Sequence, residues 1–484
     1  MKAINLDLKN LNEVFPDDFT QEQIAKAKTL FLKKLAEDSH RFYGGKIQTA
    51  PKAGVFGFNW FNVWYTPGVS KISTTIRDNN DMSFELSNRG NLVGVVSDST
   101  RVLGDGNVTP PGGLGVMEGK AFLMKYLGGV DAVALCVDSK DENGKNDPQK
   151  IIDFVKMCQH SFGAINLEDI SQPNCYKVLD TLREECDIPV WHDDAQGTAC
   201  VTLAGLINAL KLVNKKIENV RIVMLGAGAA NTSVARISIA AGADPANIVM
   251  FDVHGALDRD RRDFQQDPMY HRTWKLCETT NPKKIQDFDT AMKGADILIA
   301  LSKPGPDTVK PASIKLMGTK PIVFTCANPV PEIYPYAAKE AGAYITATGR
   351  GDFPNQVNNS LGFPGILKGA LMVRARKVTD EMAIAAAKSL ADYAEARGID
   401  PNNIVPTMDE AAVFPTESAD VAMQAIKDGV ARNIITRDEA FEWAKKDIEY
   451  SRSMAKTLVD EGYINEPPNA ILQDALKWAI DQVS

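Results

Sequence analysis

Two apolar runs, Phe162 to Leu167 and Ile188 to Trp191, lead directly into acids: Glu168-Asp169 after the first, and His192-Asp193-Asp194 after the second. Acids that end two separate strands can meet around one hard cation, which takes oxygen ligands in preference to nitrogen or sulfur. Carboxylates that merely cap helices or face solvent would explain one pair, but not two at strand ends. About 30 residues further on, Arg221-Ile-Val-Met-Leu225 runs into Gly226-Ala-Gly228-Ala229-Ala230-Asn231. Glycines there let a strand turn tightly and let the backbone approach a pyrophosphate. The helix that follows aims its free N–H groups and positive dipole end at that phosphate.

The next apolar run ends at Phe251-Asp252. An acid at that tip can bond both ribose hydroxyls and favours NAD, whereas Arg259, Arg261 and Arg262 just after it could serve the 2′-phosphate of NADP. Asn231 stands where a third glycine or alanine is usual, so helix–strand packing must adjust there. The predicted nucleotide contacts are Gly226, Gly228, Ala229, Ala230 and Asp252. A divalent metal beside a nicotinamide suggests oxidation of a hydroxy acid, with or without loss of carbon dioxide.

The 484 residues are enough for two or three domains, and 44% apolar with 24% charged residues is ordinary for a soluble globular protein. A net charge of −8 argues against a nucleic-acid surface. No apolar run is expected to reach bilayer length, and the start lacks a signal pattern, so no membrane partner and a cytoplasmic location are expected. The seven cysteines have no CxxC spacing and read as free thiols in a reducing compartment. His192, beside the acids, reads as a ring lining a pocket rather than a ligand.

Short apolar runs alternate with helical spacing through most of the chain. Thr20-Gln-Glu-Gln23 and Thr436-Arg-Asp-Glu439 are capping boxes. The glycine- and proline-rich stretch from Gly54 to Gly119 is expected to hold short strands such as Leu92–Val96 and a loop over Asp105 to Gly113. Further strands are expected at 132–137, 221–225, 248–252, 296–301, 321–325 and 343–347. The expected class is α/β: a substrate and metal domain over 1–198, a Rossmann-type doubly wound nucleotide domain over 199–378, and a helical C-terminal segment over 379–484.

Taken together, these blocks resemble the malic enzymes in their compact microbial form. The resemblance rests on Tyr65-Thr-Pro-Gly-Val-Ser70, Gly113-Leu-Gly-Val-Met-Glu-Gly-Lys120, Ile165-Asn-Leu-Glu-Asp-Ile170 and His192-Asp-Asp-Ala-Gln-Gly-Thr198. It extends through Ala327-Asn-Pro-Val-Pro-Glu332 and Phe353-Pro-Asn-Gln-Val-Asn-Asn359. It implies that Glu168, Asp169 and Asp194 hold Mg²⁺ or Mn²⁺. It also implies that Lys120 is the base for the C2 hydroxyl, oriented by Asp193, and that Tyr65 is the acid that protonates C3. Lys120 would then need its pKa lowered, by burial and by the metal.

Asn328 and Asn359, with Asn358 as an equal alternative, match positions that hold substrate carboxylate or the nicotinamide side. Arg101 matches an arginine that pairs with a malate carboxylate in larger members of the family. The following Leu103-Gly-Asp-Gly-Asn107 departs from the usual loop, with an amide where an aspartate is common. The implied activity is oxidative decarboxylation of (S)-malate to pyruvate and carbon dioxide with NAD or NADP, in a homodimer. The rivals are a dehydrogenase of another 2-hydroxy acid that stops before decarboxylation, and an inactive nucleotide-binding homologue.

Overall fold

The two acid-tipped runs lie side by side. In the computed structural model, which describes residues 3–484, strands β1 (Leu92–Ser97), β2 (Asp131–Cys136), β3 (Ala164–Leu167) and β4 (Val190–His192) form one parallel sheet, in the order β2-β1-β3-β4. All residues of β3 and β4 are buried, as a parallel sheet covered on both faces requires.

A second sheet has the order β10-β9-β8-β5-β6-β7. Its strands are β5 (Ile222–Leu225), β6 (Ile248–Asp252), β7 (Gly255–Ala256), β8 (Ile297–Ala300), β9 (Ile322–Thr325) and β10 (Ile345–Ala347). All pair in parallel except the two-residue β7, which folds back antiparallel on β6 and has too short an apolar run to be read from sequence. From central β5 the chain builds outward to β6 and β7, then crosses to β8, β9 and β10 on the other side. The carboxyl end of β5 is thus a topological switch point, where such sheets bind ligands.

The helices used below are α1 (Gln21–Tyr43), α2 (Leu114–Gly128), α3 (Thr198–Val213), α4 (Ala229–Ala240), α5 (Phe363–Met372), α6 (Asp380–Ala396), α7 (Val413–Lys427), α8 (Arg437–Asp460) and α9 (Asn469–Asp481). Both capping boxes form. Gln23 N–H donates to Thr20 Oγ1, Glu439 N–H donates to Thr436 Oγ1, and each cap N–H donates back to the other's side chain. All seven cysteines are free.

Two expectations are corrected. Between 54 and 91 the chain makes helical turns, such as Val69–Asp78, and its first strand begins at Leu92. The π-turn Asp193–Gly197 and α3 form one helix of 21 residues, apolar and long enough to cross a membrane. Its most apolar stretch is 78% buried inside the protein, so its composition is that of a core helix. After 379 the chain is helical, as expected. Helices α6 and α7 pack with α3 and α5 inside a compact unit spanning 51–451, whereas 1–50 and 452–484 make a second unit in which α1 packs on α9.

Candidate active site

Strand register builds the acid cluster. Leu167 of β3 pairs with His192 of β4, so the residues that follow leave the sheet together at one edge. Glu168, Asp169 and Asp194 each offer a carboxylate oxygen within 4.8 Å of the others. Asp169 sits at φ 53°, a left-handed conformation that aspartate tolerates better than most residues. In that conformation its N–H donates to Asp194 Oδ2 at 2.7 Å, and its carbonyl accepts from the Arg101 N–H at 3.0 Å.

Burial, and then the neighbouring Asp194, push the Asp169 carboxyl up to about 8, and Glu168 rises from the same two leading causes. Asp169 Oδ2 is buried with no hydrogen-bond partner among the described residues. An all-carboxylate donor set with an orphaned oxygen and mutual repulsion fits a hard dication, which would supply the missing partner and cancel the repulsion.

Lys120 lies on α2, and its ammonium is buried against the same cluster. It pairs with Asp193, stands 3.0 Å from Glu168 Oε1 and donates to Asn359 Oδ1 at 3.2 Å. Its Nζ also lies 4.6 Å from the centre of the Phe363 ring. The lowering of its pKa expected beside a metal is not what the protein's own groups produce. Burial does pull it down, but the attraction of Asp193, Glu168 and Asp194 outweighs burial, and the lysine is held above its ordinary value.

Sequence reasoning passed over the residues that hold this arrangement. Asn166 Nδ2 donates to Glu168 Oε2 at 2.9 Å, and Trp191 Nε1 donates to Asp193 Oδ1 at 3.1 Å. Both stand two positions before the acid they orient, a spacing that puts them on the same strand face. Gly197 leaves room for Asp193, since a Cβ there would lie 2.0 Å from Asp193 Oδ1. His192 is fully buried with neither ring nitrogen bonded, and its Nδ1 is 3.8 Å from Asp194 Oδ2. Burial above all lowers its pKa.

The glycine turn follows β5 as expected. Gly226 has φ 97°, and a Cβ there would lie 2.3 Å from the Leu301 carbonyl. At Gly228, where α4 begins, the position is open. Ala229 and Ala230 form the first turn of α4. Asn231 does more than fill the usual glycine's place: its Nδ2 donates to the carbonyls of Leu225 (3.1 Å) and Gly226 (2.8 Å), stitching helix to strand. Asp252 ends β6 but is already engaged. Arg261 forks onto it, Nη1 to Oδ1 at 3.0 Å and Nη2 to Oδ2 at 2.6 Å, and also bonds Asp263.

The other site candidates divide. Asn359 reaches Lys120, whereas Asn358 accepts the Ser360 N–H through its Oδ1 and serves as a turn cap. Asn328 precedes a cis proline, and its side chain lies against Gly349; no hydrogen bond joins it to Lys120 or the acids among the described residues. The guanidinium of Arg101 adds to the attraction that restrains Asp169. Tyr65 stands apart. It is 72% exposed, and among the described residues no hydrogen bond or ion pair ties it to Lys120 or the acids.

Residues 58–183 match the family model "Malic enzyme, N-terminal domain" and 195–430 match "Malic enzyme, NAD binding domain". The NAD-dependent malic enzyme of Geobacillus stearothermophilus is 42% identical over 390 residues, 80% of this chain and 78% of that one. The chain belongs to the malic enzyme family. A crystal structure of the Entamoeba histolytica malic enzyme is 64% identical, with both chains covered in full and a TM-score of 0.99. The malic enzyme of Pyrococcus horikoshii is 41% identical, covering 91% of this chain and 99% of that one, with a TM-score of 0.81. These two structures share the fold of this chain.

Proposed function

We propose that the chain oxidises (S)-malate with NAD⁺ or NADP⁺ and releases carbon dioxide, leaving pyruvate. The observation that carries this reading is a buried lysine joined to Asp193 and Glu168 beside the three-carboxylate group. Glu168, Asp169 and Asp194 would hold Mg²⁺ or Mn²⁺, which when bound polarises the substrate's oxygens as a Lewis acid.

With Glu168 and Asp194 holding a dication, Lys120 would lose part of the attraction that keeps it charged. Burial then favours its neutral form. Neutral Lys120 Nζ takes the proton of the C2 hydroxyl as hydride leaves C2 for the nicotinamide. Asp193, fixed by the Trp191 indole N–H, aims the amine and steadies the ammonium that forms. Loss of carbon dioxide from C3 leaves an enolate, and a proton must return to C3. Assay of malate with each nicotinamide should give reduced cofactor, carbon dioxide and pyruvate in equal amounts. Oxaloacetate accumulating in place of pyruvate would favour the dehydrogenase rival.

Tyr65 is the proposed donor of that last proton, in a homodimer. Phe56 (76% exposed), Phe58 (86%) and Tyr65 lie in one stretch with half-exposed Phe61 and Trp64. An open aromatic patch of this kind suits burial against another protein surface. In a two-fold dimer, Tyr65 of one copy would serve the acids of the other. Mixing inactive Tyr65→Phe and Lys120→Ala chains should then restore roughly a quarter of wild-type activity, since half the dimers carry one intact site. No recovery on mixing would place Tyr65 at its own chain's site.

For the nucleotide we propose a preference for NAD. Asp252 and Asp263 face a single Arg261, so a 2′-phosphate would approach two carboxylates balanced by one guanidinium. Asp252→Ser frees half of that fork. It should raise the NADP-to-NAD ratio of kcat/KM by about tenfold or more, measured by initial rates.

A further inference from the structure

Helix α3 continues directly from the π-turn that carries Asp193 and Asp194, and its far end forms one wall of a separate cavity of about 370 Å³. That volume lies within the range of small-molecule sites. Leu203, Ile207 and Leu210, spaced on one stripe of α3, make the floor with Ile384 of α6. Ile217, and Ala241 just past the end of α4, close the side nearest the nucleotide sheet.

Every charged residue lining this cavity is a lysine: Lys211, Lys215, Lys216 and Lys388. Two of them are spoken for. Lys211 pairs with Glu395 at 2.6 Å; Lys215 pairs with Asp296 at 2.6 Å and donates to the Thr319 carbonyl at 2.7 Å. The exposed side chains of Lys216 and Lys388 make no ion pair or hydrogen bond among the described residues. Lysines near a helix C-terminus commonly answer its dipole, which accounts for Lys211 at the end of α3. It does not account for Lys388, which lies in the middle of α6.

We propose that this cavity binds a small amphiphilic monoanion: a carboxylate with an unbranched apolar tail of roughly six to ten carbons. The tail would lie on Leu203, Ile207 and Ile384, and the carboxylate between Lys216 and Lys388. The site is independent of the acids and of the glycine turn, so it stands or falls apart from the catalytic reading. A chain-length dependence follows, because each methylene newly buried should tighten binding about fourfold.

The test is calorimetric titration of the full chain with butanoate, hexanoate, octanoate and 1-octanol, with octanoate-dependent thermal stabilisation as a second readout. Octanoate should bind saturably at one site per chain. Hexanoate should bind about 16-fold and butanoate about 250-fold more weakly than octanoate, and 1-octanol at least tenfold more weakly. The double variant Lys216→Glu/Lys388→Glu should lower octanoate affinity at least tenfold, and Ile207→Trp, which fills the floor, should remove binding. Malate turnover without octanoate should be unchanged in both. Equal binding of 1-octanol and octanoate would overturn the proposal. So would wild-type octanoate affinity in either variant, or no saturable binding by the unmodified chain.

Discussion

Lys120→Met is expected to lower kcat for malate oxidation by about 10²–10⁴-fold, the range that a positioned general base contributes. Malate KM should change far less, because the acids that would hold the substrate's dication are untouched. The same substitution should also destabilise the protein. Lys120 is 8% exposed and its partner Asp193 is fully buried, so deleting the ammonium leaves a carboxylate with the Trp191 indole N–H as its one remaining side-chain donor among the described residues. Breaking a buried pair in this way typically costs about 3–5 kcal/mol.

A loss of activity could therefore reflect poor folding, and a second variant separates the two. Lys120→Met/Asp193→Asn removes the orphaned charge and should recover much of the lost Tm while staying as inactive as the single variant. Recovery of turnover together with stability would mean that Lys120 served the fold and not the proton. So would a Lys120→Met enzyme that kept most of its rate.

The acid cluster was legible in the sequence because parallel strands leave little freedom. Once Phe162–Leu167 and Ile188–Trp191 are read as neighbouring strands, the residues after Leu167 and His192 must emerge at one edge. The glycine turn was legible for a similar reason, since a strand, two glycines and a helix admit few geometries. Asn166 and Trp191 were within reach too, by strand alternation alone. What stayed hidden depends on groups brought together from far apart in the chain. The choice of Asn359 over Asn358 is made by α2, some 240 residues earlier, which carries Lys120 to one amide and leaves the other as a cap. Phe363 beneath Lys120 left no mark in any local pattern. Glycine and proline between 54 and 91 punctuate helical turns as readily as strands, and composition could not tell which.

Tyr65 marks a different boundary. The resemblance singles it out, yet it is 72% exposed and, among the described residues, has no hydrogen bond or ion pair to Lys120. A motif records what a residue does in the working assembly, whereas a single folded chain records only what that chain can complete by itself. At Tyr65 the two differ, and the proposed dimer would reconcile them by burying its exposed aromatic neighbours against a second copy.

Asp194→Asn should weaken Mn²⁺ binding to the nucleotide-free protein by roughly 100-fold or more, read by titration. Loss of a group that only orients a metal ligand costs roughly 10–100-fold, and loss of a ligand should cost at least as much. The variant should also change how the metal-free protein responds to pH. Asp169 is held up to about 8 by burial and then by Asp194, against 3.8 for an ordinary aspartate. Between those values the folded chain keeps a proton that the unfolded chain has lost, so stability falls as pH rises from about 4 to about 8. Metal-free wild type should therefore lose Tm between pH 5 and pH 8, and added Mn²⁺ should restore more of it at pH 8 than at pH 5. Removing the Asp194 charge relieves part of the repulsion, so Asp194→Asn should lose less Tm over the same interval, even as it forfeits the metal. A variant that bound Mn²⁺ like wild type and showed the same pH slope would mean that Asp194 and Asp169 do not share one cation.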